Sequence, residues 1–293
     1  MRARHSTKKK NLSPLQMNSA VKNMTILNEI AEYTKNRYNS LEKRVPLEEI
    51  KSKALKMDSK TGFPFKQALA QKGISYICEV KKASPSKGVI AEDFPYLQIA
   101  KDYENAGASA ISCLTEPKYF LGSDRYLEEI AKEVKIPVLR KDFTVCPYQI
   151  YEAKVLGASA ILLICALLTE DELREYLEIA HSLGLSALVE AHTKEEVMTA
   201  LSVGAEIIGV NNRNLKDFTV DLNNCINLRK YVPKDIIFVG ESGIKDNSHI
   251  ERLRTAGVDA VLIGETLMRS NNKKEAIESL NGSPLAPHPA SLV

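Results

Sequence analysis

The chain has 293 residues, of which 44% are hydrophobic and 26% are charged, and its formal net charge is +3. This is enough apolar sequence for a large globular core, and the net charge is too small to indicate nucleic-acid binding. No apolar run is long enough to cross a membrane, so neither class of partner is expected.

The first predicted feature is a basic N-terminal tail, residues 1–23. Arg2, Arg4 and the lysines at 8–10 precede the first acidic residue, Glu29. The segment lacks apolar periodicity, so we expect it to be disordered, and a targeting peptide is the alternative that its composition leaves open. Residues 26–55 then combine charged and apolar side chains at helical spacing. They predict an extra helical segment packed against the main domain.

A repeat along the middle of the chain predicts eight strands. Gly107, Gly157, Gly204 and Gly257 each precede a short apolar run, as expected for a glycine between a helix and a strand. Four further runs begin near residues 76, 136, 186 and 236. Eight regular βα units predict an α/β fold, a (β/α)8 TIM barrel, and a doubly wound open sheet is the competing architecture. We predict one domain over residues 24–270, which includes the N-terminal helical segment.

Local signals fill in the connections of this barrel. Thr169 with Glu172, and Thr193 with Glu196, have the spacing of capping boxes and predict helices after strands four and five. The long loop after strand one, residues 82–94, contains Ser-Pro-Ser-Lys-Gly and predicts a shaped loop rather than a helix. Residues 271–293 are predicted to form a helical end followed by a disordered tail, because they finish in proline-rich sequence.

Polar side chains end five of the predicted strands. Glu79 and Lys81 end strand one, Lys141 and Phe143 strand three, Glu190 strand five, Asn211 and Arg213 strand six, and Glu241 strand seven. Alternate residues of a strand share a face, and barrel strands end at one mouth, so these endings predict an acid–base site. We expect desolvation to lower a lysine pKa there. Buried structural ion pairs, with Asn211 in a structural hydrogen bond, are the alternative.

Two glycine-containing endings predict a phosphate site. Ser242 and Gly243 follow strand seven, and Gly264 and Glu265 follow strand eight, where barrels often bind phosphate. Simple turn glycines are the alternative. The sequence contains no Gly-x-Gly-x-x-Gly or Walker motif, and the five histidines and five cysteines lack metal-ligand spacing. We therefore expect no cofactor, no metal, and free thiols in a reducing compartment, the cytoplasm.

Six motifs, taken in order, resemble those of the indole-3-glycerol phosphate synthase family over residues 24–270. They are Glu79-Val-Lys-Lys-Ala-Ser-Pro-Ser-Lys-Gly, Leu139-Arg-Lys-Asp-Phe, Leu188-Val-Glu, Gly209-Val-Asn-Asn-Arg, Glu241-Ser-Gly-Ile and Ile263-Gly-Glu-Thr-Leu-Met-Arg. The resemblance implies a carbon–carbon lyase of tryptophan biosynthesis. Such an enzyme converts 1-(2-carboxyphenylamino)-1-deoxyribulose 5-phosphate to indole-3-glycerol phosphate, with loss of carbon dioxide and water.

The resemblance also implies roles for the site residues. Lys141 is implied as the general acid, Glu190 as its partner carboxylate, and Lys81 with Glu79 as a second acid–base pair. The division of the late proton transfers among these four stays open. An anthranilate-side pocket is implied at Ser84, Phe143, Asn211 and Arg213. The phosphate is implied at Ser242, Gly243, Gly264 and Glu265.

Two other functions remain as alternatives. One is another phosphate-binding barrel enzyme such as phosphoribosylanthranilate isomerase, against which Lys141, Glu190 and the long first loop argue. The other is a non-catalytic phosphosugar-binding barrel, against which the interior lysines argue. A small phosphorylated substrate is the only partner expected. The sequence leaves the oligomeric state open, and a monomer is compatible with it.

Overall fold

The computed structural model describes residues 25–282, and eight of its strands form a closed parallel barrel. The predicted basic tail at 1–23 and residues 283–293 of the predicted C-terminal tail lie outside the described residues. The strands, in chain order, are β1 (Ser75–Val80), β2 (Ala83–Ser84), β3 (Gly88–Val89), β4 (Ala110–Leu114), β5 (Val138–Lys141), β6 (Ala160–Ile164), β7 (Ser186–Ala191), β8 (Ile207–Asn211), β9 (Ile237–Glu241) and β10 (Ala260–Ile263). Around the barrel, β1 is followed by β4 to β10 in order, and β10 pairs with β1. The predicted TIM barrel is confirmed.

Helices alternate with the barrel strands. They are α1 (Ile26–Glu42), α2 (Leu47–Leu55), α3 (Pro64–Leu69), α4 (Tyr96–Asn105), α5 (Asp124–Glu133), α6 (Pro147–Val155), α7 (Glu170–Ser182), α8 (Lys194–Ser202), α9 (Asn223–Arg229), α10 (Asn247–Thr255), α11 (Glu265–Arg269) and α12 (Lys273–Leu280). The barrel strands are mostly apolar and are buried except at some of their carboxyl ends, as β6 illustrates, because helices cover the outside of the sheet. The four repeat glycines have φ between 79° and 89°, the left-handed turn from helix to strand that the repeat predicted.

One of the two predicted capping boxes is wrong. Thr169 and Glu172 form the reciprocal box at the start of α7. At the start of α8, Thr193 accepts a hydrogen bond from the Glu196 amide, but the Glu196 carboxylate does not return to Thr193. It accepts instead from the backbone N–H of His192. The sequence pattern correctly predicted that Thr193 caps α8, but the reciprocal bond is absent because the backbone N–H of His192 takes the Glu196 carboxylate.

The N-terminal helices close both ends of the barrel. Helix α1 places Leu27 and Ile30 over the mouth cavity at the carboxyl ends of the strands. Helix α2 packs against α6. Helix α3, which the sequence analysis missed, buries Phe65 and Leu69 completely among side chains from the beginnings of the strands. A six-residue amphipathic segment gives too short a pattern to be separated from a loop.

The long loop after β1 is ordered by a small hairpin. Strands β2 and β3 pair antiparallel, and the amide of Ala83 donates to the carbonyl of Phe120 in the loop after β4. The loop is therefore shaped by backbone pairing, in agreement with its turn-rich sequence. Within residues 25–282, no helix combines the length and apolar character needed to cross a membrane.

Candidate active site

A cavity at the carboxyl ends of the barrel strands brings the predicted site residues together. Its lining includes Glu79, Lys81, Ser84, Lys141, Phe143, Glu190, Asn211, Arg213, Ser242 and Glu265. Gly243 and Gly264 line an adjoining cavity, which shares Lys81, Ser242 and Glu265 with the first. The strand endings meet because parallel barrel strands all point their carboxyl ends to the same side.

The Glu79–Lys81 pair is the tightest ion pair of the site. Lys81 Nζ lies 2.5 Å from Glu79 Oε2, and the Ser112 hydroxyl donates to the other carboxylate oxygen at 3.4 Å. Burial raises the pKa of Glu79, but the positive charges of Lys81 and Lys141 outweigh it and hold the pKa below its usual value. Glu79 is therefore ionised in the free protein, although it is 3% exposed.

Lys141 faces two carboxylates. Its Nζ lies 3.7 Å from Glu190 Oε2 and 3.9 Å from Glu241 Oε2. Burial lowers the pKa of Lys141, yet the charges of Glu190, Glu241 and Glu79 outweigh it and raise the pKa above its ordinary value. The expectation of a lowered lysine pKa is therefore wrong for Lys141, because the nearest charges are negative. Lys141 is therefore a cation in the free protein.

Glu241 belongs to this centre; it was among the strand endings that predicted the site, but no role was assigned to it from the sequence. Burial and repulsion by Glu190 raise its pKa to about 8, although Lys141 acts in the opposite direction. Its Oε1 has no hydrogen-bond partner among the described residues. A side chain at Gly209 would strike this carboxylate, so the glycine leaves space for it. The signal was present, since Glu241 ends β9 as the other charged residues end their strands.

An apolar wall lies beside the charged centre. Phe143 packs against Phe120 with ring centroids 6.0 Å apart, and Leu215 and Phe218 line the same cavity. Such a wall accommodates a flat aromatic ring. Ser84, in the short strand β2, lies at its edge.

Asn211 and Arg213 are linked through the backbone that follows β8. The Asn211 side-chain oxygen accepts from the Arg213 amide at 3.0 Å. The Arg213 guanidinium donates to the Phe218 carbonyl at 3.3 Å, which holds it along the cavity wall. The guanidinium keeps further donors for a carboxylate ligand.

The adjoining cavity has the features of an anion site. Ser242 and Gly243 both adopt positive φ, at 67° and 81°, and so form a tight turn after β9. A side chain at Gly264 would strike the Glu79 carboxylate and come within 2.8 Å of Lys81 Nζ. Glu265 points toward Lys87, with 3.7 Å between Oε1 and Nζ. Lys81 and the backbone N–H groups of the turn at Ser242 and Gly243 can therefore bind an anion in this cavity.

A buried arginine holds the mouth helix against β5. Arg140 is 2% exposed and donates to Tyr38 of α1, Asp124 and Glu152. One residue beyond Lys141, Asp142 accepts from Arg37 of α1 at 2.8 Å. The residues on either side of Lys141 thus face outward and tie α1 to the strand that carries it. The sequence analysis missed this network because its partners come from distant parts of the chain.

The described residues contain no group of three or more His, Cys, Asp or Glu placed to hold a metal ion. The five cysteines are free thiols. The chemistry that this site can perform with its own side chains is proton transfer between lysines and carboxylates in a partly desolvated cavity.

Fold and site together define a (β/α)8 barrel with a lysine–glutamate acid–base centre at its mouth. Solved barrels of this shape include 3-hexulose-6-phosphate synthase, at a TM-score of 0.59 and 13% identity over 72% of this chain and 99% of that one. Thiamine phosphate pyrophosphorylase from Pyrococcus furiosus has a TM-score of 0.54 and 18% identity over 74% and 96%. These likenesses show the fold alone.

Sequence comparison identifies the family. The family model for indole-3-glycerol phosphate synthase matches residues 27–280. An indole-3-glycerol phosphate synthase of Ruminiclostridium cellulolyticum is 57% identical over 258 residues, 88% of this chain and 99% of that protein. One of Endomicrobium trichonymphae is 56% identical over 255 residues, 87% and 99%. The chain belongs to the indole-3-glycerol phosphate synthase family, and the resemblance indicated by the motifs is confirmed.

Proposed function

We propose that the protein is a carboxy-lyase that converts 1-(2-carboxyphenylamino)-1-deoxyribulose 5-phosphate to indole-3-glycerol phosphate in tryptophan biosynthesis. Family membership supports this activity, and so does the position of Glu190 and Glu241, each with an oxygen within 4 Å of Lys141 Nζ. A buried cation between two carboxylates is an expensive arrangement for stability alone, and it suits a reaction of several proton transfers.

Ring closure is assigned to Lys141. The bond forms between the aromatic carbon that bears the carboxylate and the ribulose carbonyl carbon, and the carbonyl oxygen needs a proton as it gains charge. Lys141 is charged in the free protein, and the developing alkoxide is a base strong enough to take its proton. When the proton moves to the developing alkoxide, Lys141 becomes neutral and no longer balances the charge of the surrounding carboxylates. A second proton donor must therefore protonate Lys141 again.

The later steps are loss of carbon dioxide, loss of water and removal of a proton to complete the indole ring. Glu190 is the carboxylate nearest Lys141, and we assign it the final proton abstraction. Glu241, with a pKa of about 8, carries a proton at neutral pH and can supply it during dehydration. Lys81 and Glu79 form the alternative donor pair at the phosphate end of the cavity.

Substrate orientation follows from the two ends of the cavity. The phosphate is assigned to the turn at Ser242 and Gly243 and to Gly264, with Lys81 as the nearest cation. The anthranilate ring is assigned to the wall formed by Phe143, and its carboxylate to Arg213 with Ser84. Free thiols throughout the described barrel are compatible with a reducing compartment, so we place the activity in the cytoplasm.

A proton balance tests this function directly. The substrate carboxylate leaves as neutral carbon dioxide and the hydroxyl leaves as water, so each turnover takes up one proton. We expect the purified protein, given the substrate in weak buffer at a slightly acid pH that keeps carbon dioxide from forming bicarbonate, to release carbon dioxide and take up protons in equal amounts as the indole chromophore appears. An isomerase or a binding protein would change neither quantity, and that result would refute the proposed function.

A further inference from the structure

His192 lies directly behind the acid–base centre, at the end of β7. Its Nε2 is 3.4 Å from Oε1 of Glu190, while the other oxygen of Glu190 faces Lys141 at 3.7 Å. Each carboxylate oxygen of Glu190 therefore faces a different nitrogen: Oε2 faces the Lys141 ammonium, and Oε1 faces the His192 ring, which is a cation when it is protonated. His192 has no part in the proton transfers proposed above, and its spacing from the other histidines does not indicate a metal site.

The opposite side of the ring is fixed by α8. Glu196 accepts from the His192 backbone N–H at 2.7 Å and lies 3.2 Å from Nδ1. A carboxylate can only accept, so the network assigns a proton to Nδ1. The Asn224 amide donates to the His192 carbonyl at 3.1 Å and holds the backbone as well. Backbone and ring are thus both constrained, which is uncommon for a residue that only fills space.

These contacts leave Nε2 with an unmet requirement. It is buried and has no hydrogen-bond partner among the described residues. If the ring were neutral with its proton on Nδ1, an Nε2 lone pair would face an ionised Glu190 oxygen, and two buried acceptors would repel. A proton between Nε2 and Oε1 removes this conflict.

The surroundings favour that proton. The charged groups that act on the ring are Glu190 of β7, Glu196 of α8 and Glu241 of β9. The cavity on the outer side of the ring is lined by further titratable groups, Arg213, Lys216 and Asp221. Burial lowers the pKa of His192, but the carboxylates of Glu196 and Glu190 outweigh it and raise the pKa. The outer cavity, of about 640 Å³, gives the Glu196 side access to solvent.

We propose that His192 is a positioning residue for the proposed reaction, whose imidazolium Nε2 donates to Oε1 of Glu190 and so aims Oε2 at Lys141 and the substrate. The apo distance of 3.4 Å shortens when the site is occupied, since such contacts tighten in the complex. This role rests on the proposed function. In this role, His192 holds Oε1 of Glu190 in place and leaves Oε2 free to react with the substrate.

Two substitutions of matched size test the donor. His192→Phe keeps a ring without a donor, and His192→Gln places an amide donor near Nε2 that does not titrate. We expect His192→Phe to lower kcat about tenfold, less than the roughly hundredfold of a lost general base, with KM nearly unchanged. His192→Gln should keep most of the parent kcat. His181→Gln, at the far end of α7 against Phe63, is the control.

A parent-like kcat in His192→Phe would overturn the proposal, and so would an equal loss in both His192 variants. A second measurement needs no turnover: nuclear magnetic resonance titration of the His192 ring in the parent and in Glu190→Gln. Removing the carboxylate charge should lower the ring pKa by about one unit. An unchanged titration would show that the two groups do not interact. If the parent forms no product, the proposed function fails while this titration still tests the contact.

Discussion

Lys141 and Glu241 lie 3.9 Å apart at the mouth of the barrel, and each changes the proton affinity of the other. The lysine lowers the carboxyl pKa, while burial and Glu190 raise it further than the lysine can offset. The outcome is one firmly charged lysine and one carboxyl with a pKa near neutrality. Groups with separated proton affinities are what a reaction with several proton transfers requires.

The raised pKa of Glu241 makes a stability prediction. The folded protein holds this proton up to about pH 8, whereas the unfolded chain releases it near the ordinary carboxyl pKa, so its contribution to stability falls as the pH rises through that window. Glu241→Gln should therefore gain stability relative to the parent as the pH rises from about 5 to about 8, by at least about 2 °C in Tm. Glu206→Gln, which removes a surface carboxylate paired with Lys66, should show no such trend. A constant Tm difference for Glu241→Gln would contradict the raised pKa.

Gly264 gives a second prediction at the residue scale. A methyl group there would strike Glu79 and crowd Lys81, so Gly264→Ala must displace the ion pair beside the assigned phosphate site. We expect weaker inhibition by inorganic phosphate together with a KM for the substrate at least about tenfold higher. Circular dichroism should show an intact fold. Equal inhibition of parent and variant by inorganic phosphate would contradict the assignment of the phosphate site to Gly264.

At the scale of elements, α1 is the part of the structure that covers the mouth. It contributes Leu27 and Ile30 to the cavity and is fastened to β5 by Arg37 and Tyr38. The fastening residues, Arg140 and Asp142, flank Lys141 in the sequence. The position of helix α1 and the position of Lys141 are thus coupled through three consecutive residues, Arg140 to Asp142, at the end of β5.

Breaking this fastening should affect stability and turnover together. Arg37→Met leaves the buried Asp142 without its 2.8 Å partner, although Thr115 and the Phe143 amide still donate to it. We expect a loss of about 2 kcal/mol in the free energy of unfolding by denaturant titration, and a lower kcat. Lys35→Met, an exposed change on the same helix, is the matched control. A stable variant with a lowered kcat alone would show that the pair orients the site without holding the helix.

At the scale of the whole molecule, the sequence predicted the features that repeat or alternate. The glycine repeat and the apolar runs predicted eight strands, and an eight-stranded barrel is observed. The four runs expected to begin near residues 76, 136, 186 and 236 begin within two residues of those positions. The strand-end residues meet because a barrel brings every carboxyl end to one mouth. Helix α3, the Arg140 network and His192 were missed, because each depends on contacts between distant residues that no local pattern contains. The raised pKa of Lys141 was missed for the same reason.

The terminal extension remains a prediction from composition. Residues 1–23 are basic and lack apolar periodicity, so we expect them to add nothing to the barrel. A chain that begins at Met24 should match the full chain in Tm and in turnover over a range of substrate concentrations. A clear loss in either would mean that the segment docks on the barrel, and the predicted domain boundary would have to move.

The central claim is that Lys141 donates the proton for ring closure in a synthase of indole-3-glycerol phosphate. Its most direct test is turnover of 1-(2-carboxyphenylamino)-1-deoxyribulose 5-phosphate, followed by indole fluorescence, in the parent, Lys141→Met and Lys101→Met. Lys101 is a surface lysine paired with Glu133 and serves as the control. We predict parent-like turnover in Lys101→Met and a loss of about a hundredfold or more in Lys141→Met, with unchanged circular dichroism. Near-normal turnover in Lys141→Met would contradict the account.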